Sequence, residues 1–170
     1  MHWMGRAAYA QSYCGRFRAC PGGPGASSHA VQGAPNAPAA DPFGNVYLND
    51  PGNSRIRKVD AAGIITTVAG SGSGNPSGDG VPATEASIGV PSAIAVDAAG
   101  NLYFTAGDVV RMVDTTGIIH TIAGNGGEGH SGDCSPAVDA TLNTPSAVAV
   151  HDGIVYIADS HNGRIRMVVP

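Results

Sequence analysis

Apolar residues come in runs of four to six along this chain, and the runs are cut at short intervals by glycine, proline, serine and aspartate. Residues 46–49, 55–59 and 64–69 are rich in β-branched side chains. They are bounded by Pro-Gly-Asn, by Asp-Ala-Ala-Gly and by a Gly/Ser run, which predicts three short strands joined by tight turns. A helical period of useful length is absent. Residues 92–96 place Ile94 and Val96 on one face of a strand and Ala93 and Ala95 on the other, and residues 147–150 repeat this with Val and Ala. Both faces are apolar, so both are expected to be buried, as in a sheet stacked between two others.

The pattern repeats. Residues 59–97 laid over residues 113–151 match at 20 of 39 positions without a gap, and self-similarity at one fixed period marks a repeat architecture. Val59-Asp60-Ala61-Ala62-Gly63-Ile64-Ile65-Thr66-Thr67-Val68-Ala69-Gly70 returns as Val113-Asp114-Thr115-Thr116-Gly117-Ile118-Ile119-His120-Thr121-Ile122-Ala123-Gly124. Ser77-Gly78-Asp79 returns as Ser131-Gly132-Asp133, and Pro91-Ser92-Ala93 as Pro145-Ser146-Ala147. A second block, Gly44-Asn45-Val46-Tyr47 through Arg55-Ile56-Arg57-Lys58-Val59, recurs around Tyr103 and Arg111 and again around Tyr156 and Arg166. Three copies are visible, at about 41–90, 91–144 and 145–170, with three, four and three strands expected in turn.

Four short antiparallel strands per repeat, stacked radially, make the blade of a β-propeller. The combination Gly-Asn-Val-Tyr, Asn-Ser-Arg-Ile-Arg-Lys-Val-Asp, Gly-Ile-Ile-Thr-Thr-Val-Ala-Gly and Ser-Gly-Asp-Gly-Val-Pro-Ala-Thr resembles the NHL repeat family over residues 41–170. The longer loop with Ser-Gly-Asp-Gly is similar to those of bacterial NHL proteins and of the NHL segments of teneurins. The resemblance implies an all-β fold, a partial NHL-type propeller of about three blades. It fixes no activity, because enzymes, binding scaffolds and sensors share the fold; a secreted or extracytoplasmic setting is what the family resemblance implies for localisation.

A closed propeller takes about four to eight blades, so three leave two apolar faces open. Open stacks need caps or partners, and the chain is expected to associate with further blades or to be a piece of a longer protein. Residues 1–40 hold no Ile, no Leu, no acid and one Val, while Gly, Ala and Pro fill 20 of the 40 positions. Such a low-complexity leader is expected to be disordered, and the abrupt start of repeat text after it suggests that it is not native blade sequence. Ala8-Tyr9-Ala10 imitates a signal-peptide cleavage site but lacks the apolar stretch that should precede it. Residues 41–170 carry six basic and thirteen acidic side chains, a net of −7, which argues against a nucleic-acid-tracking surface.

Residues capable of chemistry are few. Asp79 and Asp133 recur in glycine-rich loops, where each is expected to cap the short turn that follows. His130, Asp133 and Cys134 are of metal-ligating types, but three ligands fall short of a closed zinc site, and no cofactor is expected. Cys134 stands where the earlier copy has Gly80, and no disulfide framework is legible. Asp50 and Arg55 flank one hairpin and Asp159 and Arg164 another, which predicts cross-strand charge pairs; the middle copy has lost both members, near Thr105 and Val109. Arg57, Arg111 and Arg166 recur in all three copies and are expected to bond between blades or to loop carbonyls.

These readings point to a noncatalytic binding or interaction module with its working surface on the loops, at residues 70–80 and 124–132, for a protein or small ligand. A part of a metal-dependent propeller hydrolase or lyase is the alternative, and an extracellular sensor domain a second. The Gly-x-Ser-x-Gly nucleophile pattern is absent, and a metal-dependent enzyme would need ligands from several blades.

Overall fold

The computed structural model describes residues 38–169 except 73 and 75. Three antiparallel sheets follow one another along the chain. The first runs β1 (Ala39–Ala40), β2 (Val46–Asp50), β3 (Arg55–Val59) and β4 (Ile65–Ala69), hydrogen-bonded in that order. The second repeats the meander with β5 (Pro91–Val96), β6 (Leu102–Ala106), β7 (Val109–Val113) and β8 (Ile119–Ala123). The third holds β9 (Ala147–His151), β10 (Ile154–Asp159) and β11 (Arg164–Val168). All-β architecture with three blades is thus present, and strands fall within a residue or two of their expected positions.

The first sheet differs from expectation in having four strands rather than three. Its extra strand is the pair Ala39–Ala40, which pairs through Ala39↔Tyr47 and Ala40↔Val46. Two alanines carry no β-propensity signal, and the neighbour supplies the order. The blade therefore begins at or before residue 39, inside the segment read as leader; residues 1–37, on which the rest of that reading falls, lie outside the described residues.

Aspartates at strand ends set the tight turns. Asp97 Oδ1 accepts the backbone N–H groups of Ala99 and Asn101, while its Oδ2 accepts from the Asn101 amide and the Tyr103 hydroxyl. Asp41 does the same with Phe43, Asn45 and Tyr47. Burial pushes each carboxyl up, but these hydrogen bonds more than offset it, so both Asp41 and Asp97 lie below the usual carboxylate value. Burial, with the adjacent charge adding to it, pushes the phenols of Tyr47 and Tyr103 up to about 12. Asp114 closes the β7–β8 turn, and hydrogen bonds from the Thr116 side chain and the Ile118 N–H hold it down at about 2.

Side chains alternate between the two faces of each sheet, so each inter-sheet layer draws on one face of each neighbour. Tyr47, Ile56 and Ala69 of the first sheet meet Ile94, Leu102, Phe104, Val113 and Ile119 of the second. The opposite face of the second sheet, with Ala93, Tyr103, Val110 and Ala123, meets Val148, Val155 and Ile157 of the third. The expected burial of both faces holds for β5 but fails for β9, where Ala147 and Ala149 are exposed. No described residue stacks on that side of the third sheet, and Tyr156, Ile165 and Met167 stand 36%, 73% and 58% exposed.

Candidate functional site

In the meander, the β2–β3, β6–β7 and β10–β11 hairpins lie at the same end as the long connections from β4 to β5 and from β8 to β9. Both connections leave their strand identically. Gly70 and Ser71 donate their N–H groups to the carbonyls of Ala83 and Ala86, and Gly124 and Asn125 donate to those of Ala137 and Ala140. Glycine is required at this exit: Gly124 has φ +89°, and a Cβ there would sit 2.3 Å from the carbonyl oxygen of Asp108.

Each connection is then clamped by an arginine of the following sheet. Arg111 on β7, 1% exposed, donates to the carbonyls of Ser77, Gly78 and Ser87 at 2.9–3.3 Å and to Asp79 Oδ1, which also accepts from Thr121. Arg166 on β11 repeats the arrangement on the carbonyls of Thr141 and Ser131 and on Asp133 Oδ1 at 2.8 Å. Asp79 and Asp133 thus act as guanidinium acceptors instead of turn caps. A charge-assisted bond to a buried guanidinium outcompetes a neutral N–H. Burial pushes Asp79 up and the Arg111 bond pulls it down further, leaving it below the usual carboxylate value.

Arg57 stands in the same register, opposite Leu48 as Arg111 stands opposite Phe104. Its Nε meets Asp50 Oδ2 at 3.3 Å and its Nη1 donates to Thr67 at 2.6 Å. The expected pairing of Asp50 with Arg55 is corrected by this geometry. The two are backbone partners, but the Arg55 guanidinium donates to the carbonyls of Asn53 and Ser71. The ion pair goes to the diagonal neighbour Arg57, within reach of a long side chain on the same face. Likewise Asp159 and Arg164 are opposite in the ladder, while Asp159 faces Arg166 at 3.9 Å and accepts from Asn162 and the Asn143 N–H. In the middle sheet it is Ala106, not Thr105, that takes the register of Asp50, beside Val109 in that of Arg55. Without an acceptor there, Arg111 Nε is buried with no partner among the described residues.

The His130, Asp133 and Cys134 trio does not converge: among the described residues no group of three His, Cys, Asp or Glu side chains lies at metal-holding distance. Between the two connections opens a cleft of about 790 Å³, lined by Asp79, Gly107, Asp108, Gly126, Val138 and Asp139 among others. Asp108 on its wall accepts the N–H of Thr144 at 2.8 Å, tying the β6–β7 hairpin to the second connection. Among the described residues no helix is long and apolar enough to cross a membrane. Arg111 and Arg166 bond to loop carbonyls; sequence reasoning missed their carboxylate partners, although the joint recurrence of Arg111/Arg166 and Asp79/Asp133 was a usable signal.

The teneurin NHL domain model matches residues 72–130, and the NHL repeat model matches residues 142–166. The chain is 31% identical over 144 residues to Teneurin-1 of Gallus gallus, covering 72% of this chain and 5% of that protein. It is 30% identical over 158 residues to Teneurin-4 of Homo sapiens, covering 76% of this chain and 6% of that protein. The chain therefore spans only a small part of the curated relatives it matches. Among solved structures, a Bacteroides thetaiotaomicron protein of unknown function superposes with a TM-score of 0.64 at 26% identity, over 73% of this chain and 32% of that one. An auxiliary nutrient binding protein from the same organism superposes at 0.58 and 22% identity, over 72% and 34%. With repeat models matching in chain order and three stacked antiparallel sheets to account for them, the chain belongs to the NHL-repeat β-propeller family, as a partial propeller.

Proposed function

We propose that the chain is a noncatalytic binding module whose working surface is the loop end of the sheets. The cleft of about 790 Å³ between the two connections carries this reading. Its walls come from glycine-rich segments whose sequence can change without disturbing the strands, and Val138 on its rim is 44% exposed. Asp79 and Asp133, the loop carboxylates that recur between copies, are engaged by the clamping arginines. With Arg111 set against Asp79, Asp108 and Asp139 leave the rim acidic, which favours a neutral or cationic peptide or small ligand over a phosphate chain.

The test is an amide-shift titration of the isotope-labelled chain with tetralysine and with tetraglutamate. Saturable shifts confined to residues 107–108, 125–126 and 138–139 with the cationic peptide alone are expected, weakening as salt rises. Equal response to both peptides, or none, contradicts the reading. Elemental analysis of the same sample separates it from the metal-dependent hydrolase or lyase: one equivalent of tightly held calcium or zinc contradicts a noncatalytic module.

A further inference from the structure

The second sheet lacks one group that its neighbours have. The residue that ends β2 and β10 is a fully buried aspartate, Asp50 or Asp159, lying 3.3 Å from Arg57 Nε and 3.9 Å from Arg166 Nη1. The residue that ends β6 is Ala106, opposite Val109 as Asp50 is opposite Arg55 and Asp159 opposite Arg164. A methyl group thus stands beside Arg111 where the other two sheets have a carboxylate. Among the described residues, Arg111 Nε is the only buried side-chain nitrogen or oxygen without a hydrogen-bond partner, and a buried donor is costly to leave unmatched. This is not an effect of an open end of the stack, because the second sheet is packed on both faces.

The third sheet shows that the position accepts a further negative charge. Arg166 is flanked by two carboxylates, Asp133 at 2.8 Å and Asp159 at 3.9 Å. Arg111 has the counterpart of the first in Asp79 and has no counterpart of the second. Arg111 and Ala106 are both walls of the cleft of about 790 Å³, so the unmatched donor belongs to a ligand-sized space that is built from two internal connections. The same cleft carries Asp108 and Asp139.

We propose that the cleft receives the free C-terminus of a cationic peptide. The terminal carboxylate accepts from Arg111 Nε, in the place that Asp50 and Asp159 take beside their arginines, and the ammonium groups meet Asp108 and Asp139. Polyanions are disfavoured, because Asp79, Asp108 and Asp139 surround a single guanidinium. The proposal rests on the cleft being the binding surface, and it adds which end of the peptide enters and which side chain holds it.

The test titrates the isotope-labelled 170-residue chain with tetralysine and with its C-terminal amide, following the cleft amides and the Arg111 Nε–H resonance. The amide is the more positive peptide, so an acidic rim acting alone would hold it more tightly. The reverse is expected: the amide should bind about tenfold more weakly, for the loss of a charge-assisted hydrogen bond, and the Nε–H resonance should move with tetralysine alone. Ala106→Asp supplies the carboxylate from the chain itself and should weaken tetralysine about tenfold, its melting temperature showing that it folds. Should that variant unfold, the amidated peptide still decides, since it leaves the protein unchanged. Equal or tighter binding of the amide, or an Nε–H resonance that tetralysine does not move, overturns the proposal while shifts confined to the cleft leave the cleft reading standing. Absence of cleft shifts with both peptides overturns the two together.

Discussion

Arg111 and Arg57 occupy the same place in successive sheets, yet the first is 1% exposed with four acceptors while the second keeps a side chain 22% exposed with two. The strands around them share the arginine and the following Val59 or Val113, and two things differ: Arg57 has Asp50 where Arg111 has Ala106, and Arg111 receives the connection from residues 70–90, while no such connection faces Arg57 among the described residues. A repeat unit of this kind is therefore completed by its predecessor, and its stability belongs to the interface as much as to the blade.

The comparison is broken most severely in the core. Phe104, with no exposed surface, lies in the first inter-sheet layer, whereas Leu48 in the same register is only partly buried on the open face. Phe104→Ala should cost about 3–5 kcal/mol and Leu48→Ala about 1 kcal/mol in urea unfolding; similar losses would mean that the open face is as tightly packed as the closed one. Next comes the exit glycine. Gly124→Ala meets the Asp108 carbonyl and should cost about 3 kcal/mol, against about 1 kcal/mol for Gly117→Ala, which also has positive φ but meets nothing within 4 Å.

The turn aspartates give a pH signature of known sign. The folded-state values of Tyr47 and Tyr103, about 12, exceed the unfolded value of about 10, so their contribution is full below pH ~10 and is lost as pH rises toward 12. Asp41, Asp97 and Asp114 are lowered, so theirs is full above pH ~4 and is lost as pH falls below it. Asp97→Asn should bring the Tyr103 phenol back toward 10 in an ultraviolet titration while Tyr47 stays near 12; an unmoved Tyr103 contradicts the Asp97 contribution. The smallest effect is a gain. Cys134 sits at φ +66° where the earlier copy has Gly80, and Cys134→Gly should stabilise by about 0.5–1 kcal/mol by thermal unfolding; a loss would show that the thiol makes a contact of its own.

Strands, turns and repeat order were legible because they rest on local chemistry: β-branched runs, Asx turns and glycine at fixed offsets. Ala39–Ala40 was not, since its order comes from pairing with Tyr47 and Val46 rather than from its own residues. The roles of Asp79 and Asp133 were misread for a related reason. Their partners lie 32 and 33 residues along the chain, in the next blade, while the capping expectation looked only at the nearest N–H groups. Asp50 and Arg55 were correctly placed opposite each other, yet a directly facing residue lost the ion pair to the diagonal one, a choice made by side-chain length and the carbonyls available to Arg55.

The most direct test of interface-completed repeats is urea unfolding of Arg111→Ala, Arg166→Ala and Arg57→Ala side by side. Removing the enclosed Arg111 should cost about 3–5 kcal/mol, because it empties a buried site and takes the donor from the carbonyls of Ser77, Gly78 and Ser87, while the ion pair with Asp79, 51% exposed, adds little. Arg166, whose acceptor Asp133 is 73% exposed, should cost about 1–2 kcal/mol, and Arg57, itself 22% exposed but paired with the buried Asp50 that keeps its bonds from Asn53, about 2 kcal/mol. Equal losses at all three would contradict the account, because they would place the stabilisation within each blade rather than in the loop delivered by the blade before it.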